Sequence, residues 1–437
     1  MERILMEKLV EWKDSKNRKP LILHGARQVG KTWLMKEFGK RYFKKSVYIS
    51  FDNNPRMKEV FEQDFDVRRI ISALKIEAGG AFSAEDTLLI FDEIQEEPKA
   101  MASLKYFCEN APEYYITAAG SLLGMALHEG TSFPVGKVDF LSLHPLNYYE
   151  FLLAFGENEL AELLKSGDFS MINAFSGKYR DYLRKYIYVG GLPEAVKSYV
   201  ESDDVSEVRK IQKNLLLYYE NDFSKHAPKD LIARIQMVWN SIPAQLAKEN
   251  RKFIYGIIRE GARAKDFETA IQWLSDYGLI YKCARVKKAG MPLISYIDFP
   301  SFKMYMLDVG LLGAKGNLSA KTILEGNVVF EEFKGALTEQ FVAQELVSTG
   351  MELYYFSAEN SSSEIDFILQ KGESCIPVEV KASENLQAQS LRAYCRKYNP
   401  KVAVRTSMSN YRKEEWMVNV PLYLFSEYLS GIGTKWN

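Results

Sequence analysis

Short apolar runs separated by helical stretches set the pattern of the first third of the chain. Residues 21–23, 46–52, 87–93 and 114–121 are runs of strand length, and several of them end in polar residues. Runs that are apolar at consecutive positions suit strands covered on both faces, as in a parallel sheet. Residues 32–38 follow the first run with Leu34, Met35 and Phe38 at helical spacing, and residues 1–10 form an amphipathic helix pattern. From 155 to 225 the pattern is helical, rich in Leu, Tyr, Lys and Glu. Three helices at 231–242, 254–261 and 265–277 then precede extended segments at 279–282 and 291–296, the outline of a winged helix. A helix at 337–346 and two alternating strands, 364–369 and 376–381, complete an α/β reading.

A chain of 437 residues exceeds what one core usually serves, and about three domains is the expectation from length. Apolar residues make up 47% of the chain, yet no run approaches the roughly 20 residues of a membrane span, so no membrane contact is expected. The charged, amphipathic N-terminus is unlike a secretory leader, and the expected compartment is the cytoplasm. Cys108, Cys283, Cys375 and Cys395 are widely spaced and read as isolated thiols rather than a zinc site or disulfide framework. Lys plus Arg equals Asp plus Glu at 57 each, which leaves no general basic excess to hold nucleic acid. Any DNA contact is therefore local. Arg392, Arg396, Lys397, Lys401, Arg405, Arg412 and Lys413 concentrate positive charge near the end, a pattern that also fits a solvated helix face.

The most specific chemistry lies in Gly25-Ala26-Arg27-Gln28-Val29-Gly30-Lys31-Thr32, a GxxxxGK[ST] loop between a strand and a helix. Glycines let backbone N–H groups close round phosphate oxygens, and the following helix adds the partial positive charge of its N-terminus. Lys31 would neutralise the β- and γ-phosphates, and Thr32 would bind Mg²⁺ through its hydroxyl. Asp92 and Glu93 end the third strand. Asp92 is assigned to the metal and Glu93 to the attacking water. Ser121, at the end of the fourth strand, is the candidate sensor of the γ-phosphate, with Thr117 the weaker one.

Taken together, GARQVGKT, LLIFDEIQ, ITAAGS and HPLNYYEFL resemble the AAA-type ATPases of the archaeal-ATPase group, near the STAND class of P-loop proteins. The resemblance implies an ATP-hydrolysing domain of the ASCE type over residues 1–155, a helical lid over 156–228, a winged helix over 229–300 and a nuclease-like domain over 301–437. In Gly190-Gly191-Leu192-Pro193 it also implies a GxP element that brings Pro193 near the base. Read from the residues, the same segment is an interhelical turn. A basic residue expected after the fourth strand falls on Lys137, a point charge rather than a planar fork, so no arginine finger is evident in the chain. A homo-oligomer could supply one in trans.

A second constellation follows. Period two places Glu364 with Asp366, and Glu379 with Lys381, on single strand faces, while Glu339 lies on the preceding helix. Three carboxylates and a lysine can hold Mg²⁺ and activate water against a phosphodiester, with Asp366 and Glu379 as the metal ligands. Asp366 and the triplet Glu379-Val380-Lys381 resemble the PD-(D/E)xK nuclease motif, with Glu339 as the helix acid of its junction-resolving members. Two functions follow: a nucleotide-controlled machine that cuts DNA, or a nucleotide switch that recruits protein partners on an inactive nuclease-like scaffold. The outward Asp266, Glu268 and Asp276 of the third winged-helix segment suit a protein contact as well as a DNA contact.

Overall fold

The computed structural model describes residues 1–120, 133–248, 251–325, 331–358, 363–382 and 388–432. The chain divides into two compact units, Met1–His144 with Asp276–Gly278, and Pro145–Ser275 with Leu279–Asn437. No helix among the described residues is long and apolar enough to cross a membrane.

The first unit is built on five parallel strands, β1 (Leu21–His24), β2 (Lys45–Ser50), β3 (Thr87–Asp92), β4 (Tyr115–Ala119) and β5 (Asp139–Ser142). Their order is β2-β3-β4-β1-β5. Every residue of β3 is buried, as an apolar run in the middle of a helix-covered sheet must be. Helices Lys31–Tyr42, Pro55–Gln63, Val67–Glu77 and Pro98–Asn110 provide the crossovers. Because β1 lies between β4 and β5, the chain leaving β1 passes over two strands to reach β2, and the carboxyl ends of β1, β3 and β4 border a topological switch point. β5 has no counterpart in the sequence-based expectation. Its burial alternates along an edge of the sheet, so only Phe140 and Leu141 interrupt a polar background.

The second unit begins with helices, among them Ser176–Val189, Pro193–Ser202 and Val205–His226. Helices Ile232–Leu246, Tyr255–Ile258 and Ala264–Asp276 follow, then β6 (Ile280–Val286). The expected strand at 291–296 is instead a 3₁₀ turn, Leu293–Tyr296, and the strand that returns against β6 is β7 (Ile297–Met306). Pro292 has no N–H for a ladder, and residues 297–298 and 302–306 carry the pairing instead. The expected boundary at 300/301 falls inside β7. β7 and β6 continue into β8 (Tyr354–Ser357) and β9 (Glu364–Ile365) as one sheet, order β7-β6-β8-β9. A further sheet runs β10-β11-β12-β14-β13, from β10 (Phe367–Lys371), β11 (Ser374–Val380), β12 (Val404–Ser407), β13 (Arg412–Lys413) and β14 (Val418–Pro421). Asp366 is the single residue between β9 and β10, where the chain passes from one sheet to the other.

Candidate functional site

β1 delivers the chain into the loop at Gly25, whose φ is +149°. A Cβ there would lie 2.2 Å from the Leu143 carbonyl oxygen, so the position tolerates no side chain without movement of backbone. Gln28 and Gly30 are also left-handed, and Gly30 caps helix Lys31–Tyr42. The first N–H groups of such a helix have no partner within it and face the loop. Lys31 Nζ donates to the Gly25 and Ala26 carbonyls at 2.7 and 2.8 Å, closing the loop on itself. Burial lowers the Lys31 pKa to about 8 against the opposing pull of Glu93 and Asp92, while Arg27 lowers it further. Val29 is fully buried, and its carbonyl accepts from Arg3 Nη1 at 2.9 Å. Arg3 Nη2 also holds the His144 carbonyl at 2.6 Å, tying the loop to the end of β5's connection. His144 is pushed down to about 4 by burial, then by His24 and Arg3.

Thr32 Oγ1 donates to Asp92 Oδ2 at 2.7 Å. Tyr48 O–H donates to the same oxygen at 2.9 Å, and Glu93 N–H reaches Asp92 Oδ1 at 3.2 Å. Glu93 itself sits at φ +49°, a left-handed turn directly after β3. Gln95 Nε2 donates to Glu93 Oε2 at 2.6 Å and orients that carboxylate. The structure thus brings Gly25 to Thr32, Asp92 and Glu93 together at the carboxyl ends of β1 and β3. The hydroxyl of Thr32 beside Asp92, and the glycine cradle before a helix N-terminus, fit a nucleotide and its magnesium ion.

Sequence reasoning missed Tyr48, Gln95 and Arg3. Tyr48 stands on the half-exposed face of β2, between buried Val47 and Ile49. Ser121 lies outside the described residues. Thr117 is fully buried within β4. Lys137 pairs with Glu109 at 2.8 Å. Pro193 opens helix Pro193–Ser202 within the second unit, after a turn in which Gly191 N–H donates to Asp308 Oδ2 at 2.7 Å and Leu146 N–H to the Gly191 carbonyl at 2.7 Å.

In the second unit Glu339 is 2% exposed on helix Glu331–Ser348. It pairs with Arg251, accepts from Tyr305 O–H at 3.0 Å and lies 3.6 Å from Lys303 Nζ. Lys303 also stands 2.8 Å from Glu364 and 3.9 Å from Asp366. Asp366 Oδ2 accepts the Val380 N–H at 2.8 Å, and Glu379 pairs with Lys381 at 2.7 Å. Burial, then Glu339 and Glu379, push Asp366 well above the carboxylate range. Burial opposes both partners of the central pair, yet Glu339, Glu364 and Asp366 hold Lys303 above an ordinary lysine, and Lys303 and Arg251 hold Glu339 below an ordinary glutamate. Of the four expected residues, Glu379 and Lys381 pair with each other, while Glu339 and Asp366 lie against Arg251 and Lys303, cations that sequence reasoning missed. No group of three or more acidic, His or Cys side chains among the described residues is arranged to hold a metal ion. The cluster does not fit a divalent ion in this form.

A five-stranded parallel sheet in this order, with a GxxxxGKT loop after β1 and an acidic pair after β3, is a P-loop nucleotide-binding fold of the ATPase type. Residues 17–152 match a family model described as an AAA domain. Residues 180–322 and 334–425 each match a domain of unknown function, DUF8612 and DUF4143 respectively. No curated protein sequence matches the chain. Among solved structures it is similar to a Walker-type ATPase of Pyrococcus abyssi, at 14% identity and TM-score 0.45 over 72% of this chain and 95% of that one. AMPPCP-bound DnaA of Aquifex aeolicus matches at 11% identity and TM-score 0.29, over 63% and 88%. The ORC1 protein of Aeropyrum pernix in complex with DNA matches at 12% identity and TM-score 0.26, over 72% and 90%.

Proposed function

We propose that the first unit binds ATP with Mg²⁺ and hydrolyses it, and that its nucleotide state governs what the second unit holds. The observation that carries this reading is the 2.7 Å contact between Thr32 and Asp92, which joins the two motifs on the oxygens a magnesium ion requires. When bound, that ion neutralises charge developing on the transferred phosphoryl group. Lys31 exchanges its two carbonyl acceptors for phosphate oxygens. Glu93, held by Gln95 2.6 Å away, accepts the proton of the attacking water. Ser121 is the γ-phosphate sensor of this reading.

The second unit reads as nucleic-acid-directed. Helix Glu331–Ser348 carries the helix acid, Asp366 joins β9 to β10, and the ExK triplet closes β11, an order that supports a PD-(D/E)xK-like domain. The hairpin β6–β7 after helix Ala264–Asp276 supports a winged helix. A protein partner is the second reading, favoured by Glu268 exposed on that helix.

The test is ATP turnover and fluorescence anisotropy with branched and linear DNA. Lys31→Ala and Asp92→Asn are expected to abolish turnover, and Glu93→Gln to lower it by about 10² to 10⁴ while ATP still binds. Undiminished turnover in Lys31→Ala would overturn the ATPase reading. No DNA binding in any nucleotide state would leave the protein-partner reading.

A further inference from the structure

Four carboxylates of the C-terminal cluster, Glu339, Glu364, Asp366 and Glu379, meet four cations from the same unit: Arg251, Lys252, Lys303 and Lys381. Three of those cations, Arg251, Lys252 and Lys303, enter from segments preceding helix Glu331–Ser348. Lys303 is 0% exposed. Its ammonium lies within 4.0 Å of three carboxylates, at 2.8, 3.6 and 3.9 Å, the place a divalent ion would take. It cannot reach water without leaving β7, a strand whose neighbour β6 continues through β8 into β9 and Glu364 itself.

The approach of Arg251 is equally built in. Arg251 holds a left-handed backbone at φ +50°, and a Cβ on Gly335 would lie 2.4 Å from Arg251 Nη2. Glycine one turn before Glu339 is what lets the guanidinium lie against the helix. Lys252 then bridges to Lys303 as an antiparallel pair, and Phe253 N–H donates to the Phe302 carbonyl at 2.9 Å, so this segment docks along β7.

We infer that Lys303 is the resident cation of this cluster: a protein-supplied charge that stands in for the divalent metal, so that the nuclease-like domain holds its ligand without a metal ion and without cutting. The physical ground is charge balance. A site already matched by its own cations gains nothing from two more positive charges, whose desolvation would be uncompensated. Glu379 pairs with Lys381 through Oε1, while its buried Oε2 has no hydrogen-bond partner and is the oxygen of the cluster left to ligate an ion. The inference rests on the nuclease-like reading for its choice of ion. The DNA-binding assay above tests that reading separately.

The experiment measures Mn²⁺ uptake by the nucleotide-free full chain, by electron paramagnetic resonance and by the shift in melting temperature. The wild type is expected to take up none at this cluster, so that Glu379→Gln changes nothing. Lys303→Met is expected to acquire one Mn²⁺ per chain, lost again in Lys303→Met/Glu379→Gln. Uptake by the wild type that Glu379→Gln abolishes would overturn the inference, as would a folded, ATP-binding Lys303→Met chain that takes up no Mn²⁺. Should Lys303→Met fail to fold, the comparison of wild type with Glu379→Gln decides alone.

Discussion

The closed loop around Lys31 makes ATP affinity depend on pH in a direction the structure fixes. With its pKa lowered to about 8 by burial, the free lysine is about 90% charged at pH 7, half charged at pH 8 and about 10% charged at pH 9. Phosphate oxygens beside Nζ restore a high pKa, because an opposite charge at hydrogen-bond distance favours the ammonium. Binding above pH 8 must therefore take a proton from solvent. The dissociation constant for ATP should rise about tenfold between pH 7 and 9, equal to about 1.4 kcal/mol. Titration calorimetry in two buffers of different ionisation enthalpy should find uptake of about 0.1, 0.5 and 0.9 proton at pH 7, 8 and 9. The nucleotide's terminal phosphate titrates below this window. Burial lowers both His24 and His144, so neither contributes in it. Lys31→Arg, which stays charged throughout, should bind more weakly but without the pH dependence. A flat affinity from pH 7 to 9 in the wild type, or equal proton uptake by Lys31→Arg, would refute the reasoning.

Gly25→Ala should lower the melting temperature and remove ATP binding, because the new Cβ meets the Leu143 carbonyl oxygen at 2.2 Å; the strain is about 1–3 kcal/mol. Gly177→Ala, in helix Ser176–Val189 with nothing within 4 Å of its Cβ, is the control and should leave the melting temperature unchanged or slightly raised. In the second unit, burial raises Glu345 to about 7, while Ser426 O–H and Tyr148 N–H hold its oxygens at 2.7 and 2.9 Å. A raised carboxyl binds its proton more tightly when folded, so its contribution is present below the ordinary pKa of 4.5 and is lost as pH rises through 7, an effect of about 3 kcal/mol. Urea midpoints of the second unit should fall between pH 5 and 7.5, and Glu345→Gln should reduce that slope. Asp308, raised by burial to about 6, keeps part of it. An unchanged slope in Glu345→Gln would contradict the assignment.

What was legible in the sequence was what the chain builds locally. The loop Gly25 to Thr32 closes through contacts five and six residues apart, and Asp92 is delivered by a strand whose six residues are all buried. Tyr48 was not legible, because its partner Asp92 lies 44 residues away and a tyrosine on the open face of a strand has ordinary reasons to be there. The same distinction decides the C-terminal cluster. Asp366, Glu379 and Lys381 announce themselves by period two, yet Arg251 stands 88 residues from Glu339 and Lys303 belongs to a different hairpin. One local signal was present: Lys303 interrupts Phe302-Lys303-Met304-Tyr305-Met306, and a charge in a buried apolar run must find compensation somewhere. A D…ExK pattern records the alternation within each strand and says nothing of the cations that meet its carboxylates. In this chain the cation at the carboxylates comes from outside that pattern: Lys303 stands on β7, and no spacing within 364–381 announces it.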